Sequence, residues 1–196
     1  MKSFCTITFL TLLIVIANFS FAQELSLQEE WKNFETQNKQ TSKRGTISLG
    51  SWAIANIVSG SVGAPLSNGV QRNFHFMNLS WGAVNLAIAL PGIISYAKKK
   101  EVETDPLKIQ KNFRTSKTVY LLNAGLDIGY TLSGLWMYEC SKRIAKADRA
   151  NMIEGFGYSV MIQGLYLLTY DAVMYGIFAS RNKKKDELLR RSMIKF

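Results

Sequence analysis

Four long apolar stretches, each with an amide or carboxylate side chain near its middle, constrain this chain more than any other feature. The stretches are Thr46–Leu66, His75–Ala97, Thr118–Tyr138 and Gly155–Ser180, and their central polar residues are Asn56, Asn85, Asp127 and the pair Gln163/Asp171. Each has about the 20 residues an α-helix needs to cross a hydrocarbon layer of about 30 Å. A polar group at that depth is costly unless it faces protein, water or an ion. The pattern predicts an all-α integral membrane protein: a four-helix bundle with its Asn, Asp and Gln side chains turned inward. Nothing in the chain alternates like the strands of a membrane barrel.

The charge is segregated to match. Mean hydropathy is close to zero, but nearly all the charge lies in Gln23–Gly45, Lys98–Lys117, Glu139–Glu154 and Arg181–Phe196. The formal net charge is +10. Nucleic-acid binders usually carry such charge on a soluble fold. Here the basic residues flank apolar spans, which points to anionic lipid headgroups as the partner and to no nucleic acid. A homo-oligomer or another protein partner is left open.

Length fits one domain, in four segments. Residues 1–22 read as a signal peptide: Lys2, an apolar middle over Phe9–Ala17, and Ser20-Phe21-Ala22 before Gln23. Cys5 would leave with it, and Cys140 alone permits no internal disulfide. The Ala-Gln junction has a bacterial look, which makes an inner membrane the expected location. Residues 23–45 read as an amphipathic helix and linker. Ser26 and Glu29 make a capping box, Leu27, Trp31 and Phe34 share one face, and Thr36–Arg44 is a linker closed by Gly45. Residues 46–180 form the membrane domain. Residues 181–196 are a basic tail in which Leu188, Leu189 and Ile194 suggest a weak amphipathic helix.

Within the membrane domain, Asp105-Pro106 should start a short surface helix ending near Arg114. Glu139–Glu154 should extend the third span before a break near Asn151. Ser-Trp-x-x-x-Asn-aliphatic occurs at both Ser51–Ile57 and Ser80–Leu86, which we read as an interfacial Trp above a midplane Asn in each helix.

Helical spacing then sorts the polar residues into faces. Asn78, Gly82, Asn85, Ala89 and Gly92 line one face of the second span. Asn123, Asp127, Tyr130 and Gly134 line one face of the third, and Asn56, Gly60 and Gly63 one face of the first. In the fourth, Asp171 lies about 80° round the helix from Gln163. Small residues let membrane helices approach, and amides hydrogen-bond across the contact. The preferred reading is structural glue.

The rival is a proton or cation site, because Asp127 and Asp171 are the only acids in the spans and no Lys or Arg lies there to neutralise them. His75, the single histidine, reads as an interfacial residue bonded to a neighbour or to water, since one His makes no zinc site without further ligands. No cofactor or metal is implied. Gly155-Phe156-Gly157 lacks the residues of a phosphate loop, and no serine sits in a nucleophile elbow. The expectation is a non-enzymatic protein.

The order of motifs resembles an uncharacterised family of small four-span membrane proteins from Bacteroidota. The motifs are Phe74-His75-x-Met77-Asn78 leading to Trp81-x-x-x-Asn85, Asn123-Ala124-Gly125-Leu126-Asp127, and Gln163-Gly164 through Tyr170-Asp171 to Met174-Tyr175. The resemblance covers residues 46–180 and implies four spans and an envelope location, but no mechanism.

Two topology signals disagree. A cleaved leader puts Gln23 outside, and four crossings then leave Lys98–Lys117 and the basic tail outside as well. The positive-inside rule demands the opposite. A re-entrant first stretch, the one rich in Gly and Ser, would reconcile them.

Overall fold

The computed structural model describes the backbone of residues 2–98 and 101–193 and the side chains of residues 24–98 and 101–193. Among these the fold is all-α. Four long helices, α1 (Lys2–Leu66), α2 (Gly69–Ala97), α3 (Pro106–Ser141) and α4 (Ala147–Ser180), are followed by a short α5 (Asn182–Met193). The expected leader, residues 1–22 with Cys5, lies outside the residues whose side chains are described, as does Ile194.

Two antiparallel hairpins make the bundle. The first joins α1 to α2 through Ser67-Asn68, and Gly69 leaves that turn at a φ of +55°, where a Cβ would be strained. The second joins α3 to α4. The two hairpins meet through α2 and α4, which run parallel: Gly155 packs on Val70 and Phe74, and Gln163 reaches Asn78 and Asn85 further along.

The seams depend on small residues. A Cβ on Gly82 would lie 2.8 Å from the Ala53 carbonyl oxygen, and one on Gly134 would lie 2.6 Å from the Met161 nitrogen. Backbones this close gain dispersion contacts that larger side chains would prevent. Gly125 and Gly129, by contrast, face open space.

Three expectations about connections are corrected. The polar run at 36–45 is not a linker but part of α1, because Glu35 and Asn38 are buried and Arg181 clamps the helix. Its Nη1 donates to Asn38 Oδ1 and its Nη2 to Thr41 Oγ1, each at 2.8 Å. Asp105 does start a helix, its side chain accepting from the Leu107 nitrogen at 2.9 Å. That helix does not stop at Arg114, since no Gly or Pro interrupts it before Gly125. The third span does not continue to Asn151 either. Arg143 and Ile144 donate back to the Cys140 and Ser141 carbonyls, closing a tight turn, and α4 starts at Ala147.

The first stretch is continuous helix, not a re-entrant segment. Segments within Glu24–Leu66, Gly69–Ala97 and Ala147–Met193 are long and apolar enough to cross a membrane. α3 is not among them, because Asn123, Asp127, Thr131 and Ser133 dilute its apolar residues. Its outer face nevertheless exposes Leu122, Leu126, Leu132 and Trp136.

A second core caps one end of the bundle. Leu27, Trp31 and Phe34 of α1 pack with Ile109 and Phe113 of α3, Met174 and Phe178 of α4, and Leu188 of α5. The amphipathic stripe and the tail thus find each other. Glu30 accepts hydrogen bonds from Lys184 Nζ at 2.8 Å and Arg191 Nη1 at 2.6 Å. The part of α1 from Leu27 to Lys39, the α2–α3 connection and α5 therefore share one end of the bundle.

Candidate polar core and acidic cavity

The side chain of Gln163, fully buried in α4, is the hub of the upper polar group. Its Nε2 donates to Asn56 Oδ1 at 2.6 Å and approaches Asn78 Oδ1 at 3.4 Å. Its Oε1 accepts from Trp52 Nε1 at 2.8 Å and from Asn85 Nδ2 at 3.5 Å. Ser159 Oγ completes the group by donating to Asn78 Oδ1 at 2.6 Å, and Asn56 Nδ2 donates to the Trp52 carbonyl at 2.8 Å. Donors and acceptors are matched, which is the condition for burying amides cheaply.

Helical pitch explains the second group. Eight residues after Gln163, Asp171 points away from the amides and faces α3, where it meets Asp127. Both carboxyls are 3 % exposed. Asn123, half-buried, lines the same cavity beside the two acids. Asp127 Oδ2 and Asp171 Oδ1 have no hydrogen-bond donor in the structure. The two acids line a cavity of about 160 Å³ between α2 and α3, floored by α4. Trp81 and Tyr130 close over it, ring centroids 5.2 Å apart and planes at 72°. Two carboxylates cannot sit together ionised in such surroundings without a proton or cation between them.

The expected polar residues therefore fall into two clusters and one outlier. Asn56, Asn78, Asn85 and Gln163 form the amide group; Asn123, Asp127 and Asp171 form the acidic one, with Asn85 lining both. His75 joins neither. Its ring packs against Gly63 and edge-on to Phe74, and its Nδ1 is buried without a partner. Among the described residues no three His, Cys, Asp or Glu side chains gather as a metal site would need.

Three contributors escape the sequence reading. Ser159 is one helical turn before Gln163 and could have been found by extending that face. Trp52 and Trp81 read as interfacial anchors, yet both turn inward. Trp52 donates to Gln163 and stacks on Tyr166 at 4.0 Å, while Trp81 lines the cavity. Trp at that spacing serves as an interface anchor or a buried donor, and only the neighbouring helix decides which.

The profile of a family described as "Family of unknown function (DUF6992)" matches residues 48–172, a stretch that contains both clusters. No curated protein and no solved structure matches the chain.

Proposed function

The chain belongs to that family of unknown function, and from its own geometry we propose a non-enzymatic, four-span protein of a bacterial inner membrane. The amide group holds its bundle together, and the Asp127/Asp171 pair binds a proton or cation as part of a small carrier or channel. The fourth span, α3, is included because its outer face exposes Leu122, Leu126, Leu132 and Trp136, which water would disfavour. Asp127 and Thr131 face α4 instead.

One observation carries the division of labour. Every amide in the Gln163 group has a partner, whereas the acidic pair borders a cavity with an unpartnered oxygen on each carboxyl. Glue alone would not require acids, since asparagine supplies the same shape with its own donors. A site for positive charge would.

The test uses vesicles of phosphatidylethanolamine and phosphatidylglycerol with an entrapped pH-sensitive dye and a preset pH gradient. Adding a sodium, potassium or organic ammonium salt should collapse the gradient faster with the wild-type chain than with Asp127→Asn at equal incorporation. Membrane abundance should be the same for both. Equal rates for the two chains with every salt would return the pair to the role of glue.

A further inference from the structure

The walls around the acidic pair are informative about which cation fits. Two carboxyls sit at the base, where each offers a buried oxygen that no donor occupies. Above them stand the rings of Trp81 and Tyr130. The mouth is formed by Val84 and Ile88 of α2 and Leu126 of α3, all of them exposed on the outside of the bundle. Because α4 separates α2 from α3, the mouth opens sideways, toward whatever surrounds the helices.

From this arrangement we infer that the cavity binds an organic ammonium carrying an apolar body, and that the ligand reaches it laterally from the bilayer. The inference rests on the reading of the pair as a cation site and names its ligand class. A bare sodium or potassium ion would want a shell of oxygens, but most of this wall is hydrocarbon and aromatic carbon. A volume of about 160 Å³ is close to that of a cavity that accommodates benzene. The rings of Trp81 and Tyr130 line the wall, and aromatic rings are the groups that stabilise alkylammonium ions. The carboxyls supply the countercharge, and no Lys or Arg of the spans competes for them.

The test is equilibrium dialysis of the full chain in a nonionic detergent against benzyltrimethylammonium, which is charged at every pH. Its uncharged carbon analogue neopentylbenzene is the control. Benzyltrimethylammonium should bind saturably at one site per chain, and neopentylbenzene should show only the partition seen with detergent alone. Asp127→Asn and Asp171→Asn should each weaken binding by about tenfold or more. Trp81→Leu should weaken it by roughly threefold or more. Equal binding of both compounds would overturn the inference by showing an apolar pocket indifferent to charge. Absence of benzyltrimethylammonium binding, with the Asp127-dependent gradient collapse intact, would overturn it too while leaving the cation-site reading standing. Absence of both would remove both.

Discussion

Gln163 Nε2 donates to Asn56 Oδ1 at 2.6 Å, closing a contact between helices α4 and α1 whose residues lie 107 positions apart. The same Gln163 accepts from Trp52, one turn before Asn56 on α1. One side chain therefore ties both the depth and the rotation of α1 to α4, beside the Trp52–Tyr166 stack and the end core.

Gln163→Leu should consequently destabilise the bundle by about 2 kcal/mol, because Asn56 Oδ1 and Trp52 Nε1 are left buried without partners. Adding Asn56→Leu should recover part of that loss, giving a coupling energy above about 0.5 kcal/mol. Thermal unfolding of the purified single and double variants in detergent reads this directly. Strict additivity would mean that the bond contributes nothing.

Two glycines five residues apart on α3 should respond to alanine with opposite signs. At Gly134 a methyl would run into the backbone of α4 at Met161, and the expected loss is about 1–3 kcal/mol. At Gly129 nothing lies within 4 Å of the added Cβ, so Gly129→Ala should be neutral or gain about 0.5–1 kcal/mol from helix propensity. Comparable melting temperatures for the two variants would contradict the α3–α4 seam.

Four crossings require that Lys184 and Lys142 face opposite sides of the membrane, since they sit at opposite ends of α4 and its flanking turns. In intact cells only one of the two should react with a membrane-impermeant amine reagent. The side of Lys184 also decides between the leader and the positive-inside rule. Labelling of both from outside would exclude the four-span arrangement.

Acid should release α5 from the end core. The hydrogen bond from Lys184, followed by that from Arg191, holds the Glu30 carboxyl below the usual carboxylate range. Its contribution to docking is therefore full above the ordinary Glu value of about 4.3 and is lost as pH falls through the lower folded value. A spin label on Met193→Cys in a cysteine-free background should turn mobile only at a pH below the ordinary Glu value of about 4.3. The label should already be more mobile at neutral pH in Glu30→Gln. Immobility down to pH 3 in both chains would show that Leu188 and Trp31 alone keep α5 docked.

Sequence periodicity was enough to find the apolar stretches, their inward faces and seven of the polar residues in the two clusters, but not Ser159. It works because helical pitch is local: a residue's direction follows from its neighbours' covalent geometry. Asp105-Pro106 marked a helix start for the same reason, as its cap forms within three residues. The 36–45 run was misread because its helix is stabilised from outside, by Arg181 on the far side of the sequence.

Partner choice is a different kind of fact. That Asn56 meets Gln163 while Asp127 meets Asp171 depends on the registers of two hairpins and on the parallel approach of α2 and α4. Those registers are set by Gly82, Gly134 and Gly155 fitting against particular backbone atoms. The separation of matched amides from unmatched acids, and the sideways cavity between α2 and α3, arise only at that stage. Sequence alone determined which residues turn inward, since rotation per residue is fixed. Tertiary packing decided which of them touch, since contact between distant segments is a property of the assembled surfaces.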